Sequence, residues 1–120
     1  MDAKKWRKRI KEDTQAVGTY RPAFDSVIET LADILARRDQ IREAFEESGE
    51  PPVVEHTNKG GSTNLEQNPA IRLINDLNRD ALAYWRDLGL TPAGLKRIDE
   101  KAMQKKKGNA LAEALRELGG

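Results

Sequence analysis

Two long segments of this chain repeat apolar residues at three- and four-residue steps, and little else in it is apolar in a regular way. In residues 20–48 the repeat runs Phe24, Val27, Ile28, Leu31, Ile34, Leu35, Ile41 and Phe45, one stripe along a long helix that Gly49, Pro51 and Pro52 bring to an end. In residues 69–88 it runs Ile71, Ile74, Leu77, Ala81, Leu82, Trp85 and Leu88. Asn68 is placed to cap that helix, Pro69 suits its first position and Gly89 stops it. Two such stripes bury each other best as a long antiparallel helical hairpin, so the expected fold is mainly α. Phe24, Ile28, Leu31, Leu35, Ile74, Leu77 and Trp85 are its expected core and oligomer contacts.

Residues 53–67 between the stripes, VVEHTNKGGSTNLEQ, contain the only strand-like stretch. Val53, Val54 and Thr57, a Lys59-Gly60-Gly61-Ser62 turn and a return over Thr63–Glu66 spell a small β-hairpin, with a flexible loop as the alternative. Residues 1–18 read as a basic helix or arm, with Trp6 and Ile10 on one face and Val17 as a further apolar candidate. The helix is either docked by that small face or only partly ordered. After the Thr91-Pro92 start, a helix is expected to about Lys106, then an interruption at Gly108-Asn109, then a short amphipathic helix over 110–118 with Leu111, Leu115 and Leu118. The chain thus divides into a basic amino-terminal segment (1–18), a helical oligomerisation core (19–98) and a basic carboxyl-terminal segment (99–120).

A chain of 120 residues suits one domain. Its charged fraction of 34% exceeds the ~25% usual for globular domains. A two-helix hairpin also leaves much of its stripe uncovered. Self-association is an economical way to cover it. The net charge of +1 hides an uneven distribution. Residues 1–11 are net +5, residues 12–95 net −7 and residues 96–107 net +4. Basic ends around an acidic middle point to a polyanionic partner for the ends.

Enzymatic chemistry finds no footing. There is no cysteine, and the single histidine, His56, lies in the polar segment. That leaves no Cys/His metal cluster and no nucleophile system of recognisable spacing. Lys59-Gly60-Gly61-Ser62 lacks the order of a phosphate-binding loop. Carboxylate pairs such as Glu46/Glu47 and Asp99/Glu100 read as solvated helix surface. Neither a cofactor nor a metal is expected. No apolar run nears the ~18 residues of a membrane span, and the basic start lacks the apolar stretch of a secretory signal, so a cytoplasmic protein is expected.

The candidate DNA contacts are three sets of bases. Lys4, Lys5, Arg7, Lys8, Arg9 and Lys11 surround Trp6; Arg37, Arg38 and Arg42 cluster part-way along the first stripe, which Arg38 interrupts; Lys96, Arg97, Lys101, Lys105, Lys106 and Lys107 follow the second. For the first and last sets a solvated helix end is the alternative reading. Lysines at three consecutive positions point in different directions, which suits phosphate contact more than base readout. The Leu88–Ile98 stretch also has the outline of a helix-turn-helix, although Gly94 is a poor residue for a recognition helix.

Asn68-Pro69-Ala70 opening a long helix, followed some twenty residues on by Leu88-Gly89-Leu90-Thr91-Pro92-Ala93 and then Lys96-Arg97, resembles the signature of a phage terminase small-subunit family. Gly18-Thr19-Tyr20 ahead of the first long helix and the glycine-containing segment before Asn68 fit the same family, over roughly residues 6–98. The Ala93-Gly94-Leu95 step departs from it, since the family more often has a serine and an arginine there. The resemblance implies a non-enzymatic ring that recognises viral double-stranded DNA. It would load that DNA onto a large terminase subunit, which holds the ATPase and nuclease, in the host cytoplasm. The last helix would be a candidate for the large-subunit contact. The competing readings are a helix-turn-helix transcription regulator and a phage head-tail connector or adaptor.

Overall fold

The computed structural model describes residues 1–119. Its helices are α1 (Ala3–Val17), α2 (Asp25–Ser48), α3 (Pro69–Asp87) and α4 (Pro92–Gly119), with strands β1 (Val53–Thr57) and β2 (Thr63–Gln67) between α2 and α3. The molecule is elongated, 84 × 33 × 19 Å.

The core is built by three helices. Ile28, Leu31, Ala32 and Leu35 of α2 and Ala81 of α3 are buried together with Leu88, and Ile10 of α1 is fully enclosed among them. The expected two-helix hairpin is therefore completed within the chain by α1. That helix is docked: Trp6, Ile10 and Thr14 form its inner face at four-residue steps. The Thr14 hydroxyl is satisfied by donating to the Lys11 carbonyl (2.9 Å), so its complete burial leaves no orphaned group. Trp6 packs edge-on against Trp85 with ring centroids 6.3 Å apart. Its indole N–H donates to Asp39 of α2 at 2.8 Å.

Three expectations about apolar residues are corrected; one is Leu82 of the second stripe, which is 48% exposed beside the buried Ala81. Phe24 is not in the core. It ends a 3-10 turn, Pro22–Phe24, ahead of α2, and 41% of it is exposed. Proline fixes the backbone there before the α-helix begins, so Phe24 falls out of phase with the stripe. Val17, the last residue of α1, is also largely exposed, because Gly18 adopts a left-handed conformation (φ 80°) and turns the chain away. The other expected core residues, Ile28, Leu31, Leu35, Ile74 and Leu77, are buried, and Trp85 is half-buried.

The two strands pair antiparallel, Val53 opposite Gln67 through Thr57 opposite Thr63. Asn58 builds the turn by accepting from the backbone N–H groups of Gly60 (2.9 Å) and Ser62 (3.0 Å). At the other end Asn68 closes the hairpin. Its side chain caps α3 by accepting from Ala70 N (2.9 Å) and donates to Glu50 (3.1 Å) and the Pro51 carbonyl (3.2 Å).

The interruption expected at Gly108-Asn109 does not occur: α4 is one helix through to Gly119. Glycine in a helix interior costs only about 1 kcal/mol relative to alanine, and the good helix formers on either side outweigh it. The first turns of α4 pack on the end of α3, but every residue of 99–119 is exposed. The distal part of α4 is thus a free-standing rod. The boundary expected at residue 98/99 falls inside this helix, where burial ends but secondary structure does not.

Candidate nucleic-acid interface

The amino-terminal bases lie on α1 around the outside of its docked face. Asp2 caps that helix, accepting from Lys5 N at 2.8 Å. Lys4, Lys5 and Lys8 point away from the bundle and have no carboxylate within 4.0 Å among the described residues. The other three are engaged at the margins. Arg7 approaches Glu29 of α2 (3.8 Å), Arg9 approaches Asp13 (3.9 Å) and stacks over Trp6, and Lys11 sits 5.1 Å from the Tyr20 ring centre. All three remain exposed, and ion pairs in that setting are worth well under about 1 kcal/mol, so a polyanion could displace them.

The α2 bases separate into two kinds. Arg37 and Arg42 are exposed. Arg38 is held inside the protomer, with only 17% of its side chain exposed. It donates to Asn78 of α3 (3.1 Å) and to Asp39 (3.0 Å), and its guanidinium lies 5.7 Å from the centre of the Trp6 ring. The sequence presents Arg38 as one of three clustered bases, while the fold uses it to tie α1, α2 and α3 together. Asp39 is the centre of this knot, also taking the amino-terminal ammonium of Met1 at 3.0 Å. Burial pushes the Asp39 carboxyl up, but hydrogen bonds from the ammonium, Trp6 and Arg38 outweigh it and hold the group below its ordinary value.

The α4 bases Lys96, Arg97, Lys101, Lys105, Lys106 and Lys107 are all exposed, and among the described residues only Lys96 has a carboxylate in reach, Glu100 at 4.0 Å. The fold adds one base that sequence reading passed over. Arg86, in the last turn of α3, lines a shallow depression of about 240 Å³ with Arg97 and Lys101. Gly94 makes this possible. It is buried, and a Cβ there would stand 2.2 Å from the Arg86 carbonyl oxygen, so only glycine lets α4 cross α3 this closely. The departure at Ala93-Gly94-Leu95 is thus a packing requirement. The signal for Arg86 was its place just before the glycine turn, which a linear count of basic runs cannot register.

Two of the stretches that carried the resemblance, Gly18-Thr19-Tyr20 and Leu88–Ala93, meet in space, while Asn68 stands at the other end of α3. Thr19 donates its hydroxyl to the Leu88 carbonyl at 2.6 Å, and a Cβ on Gly89 (φ 75°) would press 2.8 Å from the Thr19 methyl. Thr91 caps α4, its hydroxyl oxygen accepting from Gly94 N at 3.0 Å. The α1–α2 and α3–α4 connections therefore lock into one joint at the carboxyl-terminal end of α1. The two basic regions lie on either side of it, one along α1 and one along α4.

Among the described residues no group of three or more His, Asp or Glu side chains could hold a metal ion, and no helix is long and apolar enough to cross a membrane. His56 stands exposed on β1. The curated proteins and the solved structures give no match to the chain. The family model described as "Phage terminase, small subunit" matches residues 3–105, from the start of α1 to well into the free rod of α4. The chain belongs to the phage terminase small-subunit family, and so to the machinery of phage DNA packaging.

Proposed function

We propose that this chain is a non-enzymatic, ring-forming subunit that engages viral double-stranded DNA through its phosphates and loads it onto the large terminase subunit in the host cytoplasm. The observation that carries the DNA assignment is the pair of unneutralised basic regions on rigid helices. Lys4, Lys5 and Lys8 on α1, and Lys101, Lys105, Lys106 and Lys107 with Arg86 and Arg97 by α4, lack carboxylate partners within one copy among the described residues, in an otherwise acidic chain. Bases spread around helices neutralise phosphates without reading one groove edge, so the binding is electrostatic and strongly salt-dependent. Arg38 contributes through stability, whereas Arg37 and Arg42 are available to DNA.

The regulator reading is less well supported. In a helix-turn-helix the first turn of the second helix faces the major groove. Here that turn is Pro92-Ala93-Gly94, which offers no hydrogen-bonding side chain to a base edge, and Gly94 is packed on α3. A head-tail adaptor would have no use for the unpaired bases.

The test is binding of duplex DNA across a salt series. Every phosphate that is no longer neutralised lowers the slope of log affinity against log salt by about 0.9. Replacing Lys4, Lys5 and Lys8 together by alanine is expected to lower the slope by roughly 2 to 3, and the same for Lys105, Lys106 and Lys107. An unchanged slope in both variants rejects the DNA assignment. Addition of metal, nucleotide and DNA is expected to yield neither cleavage nor ATP hydrolysis without the large subunit.

A further inference from the structure

The rod of α4 ends in an apolar ridge that its own protomer cannot use. Leu111, Leu115 and Leu118 follow one another at four- and three-residue steps and are 62%, 61% and 85% exposed. Lys107 stands one turn before Leu111 on the same ridge. Elsewhere on the chain lies an apolar groove of about 540 Å³, walled by Val17 at the end of α1, Trp85 and Leu90 at the end of α3, and Pro92 and Leu95 at the start of α4. Its one charged lining residue is Asp13. Asp13 is held only by the loose contact with Arg9.

We infer that the leucine ridge of one copy seats in the groove of the next, with Lys107 meeting Asp13, so that α4 is the strap joining neighbours head to tail; this rests on the self-association proposed above. Three features select this occupant. The first is reach. Ile98 is the last residue of α4 that is even partly buried, and Leu111 to Leu118 lie about 20 to 30 Å further along at 1.5 Å per residue. The ridge therefore stands clear of its own bundle, where another chain can meet it. An unbroken helix cannot fold it back onto its own groove. The second is charge: a single cation on the ridge answers a single anion in the groove. The third is length. Two turns of leucine fall short of the three or four heptads that mark a coiled-coil seam, and they suit a concave receptor. A contact between unlike surfaces is also the kind that propagates around a ring.

The chain has no cysteine, which allows a direct test. Val17→Cys and Leu111→Cys placed in one chain, treated with a short bis-maleimide, should give a ladder of linked multimers, while either substitution alone gives none. In parallel, light scattering should show Asp13→Lys and Lys107→Glu each weakening association about tenfold, and the two together restoring it to within about twofold of the unmodified chain. Leu115→Asp, on a fully solvated stretch of helix, should abolish association and leave the helical circular dichroism intact. Dimers from Leu111→Cys alone would mean that the ridge meets itself and overturn the inference. So would an undiminished ring mass for Leu115→Asp coupled with failure to capture purified large subunit, since the occupant would then be that subunit. An unmodified chain that is monomeric overturns both this strap and the ring, whereas a ring that persists with no ladder overturns the strap alone. Salt-dependent DNA binding is read separately in each case.

Discussion

Helices α1 and α4 are made of similar material, lysine-rich sequence with a few apolar residues, yet they end in opposite conditions. In α1 the apolar residues share one face, Trp6, Ile10 and Thr14, and that face disappears into α2 and α3. In the distal part of α4 Met103, Leu111, Leu115 and Leu118 all stay exposed. The difference lies in the connections. Gly18 and the Thr19–Leu88 hydrogen bond fold α1 back along α2, whereas Gly94 fixes only the base of α4, which then runs on as one helix to Gly119. The bases of α1 are therefore mounted on a fixed platform, and those of α4 on a projecting arm.

Truncation at the two helices should separate them most sharply. Ile10→Ala opens a cavity in a fully enclosed site and is expected to cost about 3 kcal/mol, within the range for large-to-small core changes. Leu115→Ala should stay within about 0.5 kcal/mol when urea unfolding is followed at dilutions where copies are apart. Comparable destabilisation at both would mean that the rod is packed in the protomer, and the contrast would be gone.

Gly94→Ala comes next. Its methyl would press on the backbone of Arg86, not on a side chain that can move aside, so α4 must shift. Overpacking of this kind costs roughly 1 to 3 kcal/mol, read as a lowered melting temperature. The depression that gathers Arg86, Arg97 and Lys101 should open with it, reducing the salt slope of DNA binding. A neutral result would show that the α3–α4 crossing is loose.

The knot at Asp39 gives a smaller, pH-dependent effect on the α1 side alone. Its carboxyl is held below the ordinary value when folded. Its contribution is therefore fully present above the unfolded pKa, near 3.9, and is lost as pH falls through the lower folded value. Asp39→Asn should cost about 1 kcal/mol at pH 7 and less at pH 2 to 3, in urea unfolding at both pH values. A cost that does not shrink in acid would mean that shape, not charge, matters there.

Much of this was legible in the sequence, and the exceptions have physical causes. The stripes, the hairpin at 53–67 and both cap-plus-proline starts are local patterns, and the fold keeps them. Phe24 was in phase with its stripe by spacing but was rotated out by Pro22. Arg38 looked like one more base because its partners, Asp39 apart, come from other helices: Asn78 lies forty residues away and Trp6 thirty-two. The full docking of α1 was under-read for a similar reason. Its inner face includes Thr14, whose hydroxyl is satisfied by its own helix, and a polar residue does not register as core in a count of apolar positions. Arg86 joined the basic surface only through the tertiary crossing at Gly94.

Gly108 offers the finest test of the contrast. In an exposed helix with open space around the missing Cβ, Gly108→Ala should favour the helix by about 1 kcal/mol. A free rod takes up that gain locally. Amide exchange in the distal part of α4 should slow roughly fivefold, since 1.4 kcal/mol is a factor of ten, while Ile10 and Leu31 keep their protection and the melting temperature of the bundle stays put. Slower exchange throughout the bundle would mean that rod and platform unfold as one unit. In that case the bases of α4 would be as firmly placed as those of α1, and a strap able to lean across to a neighbour would lose the independence it needs.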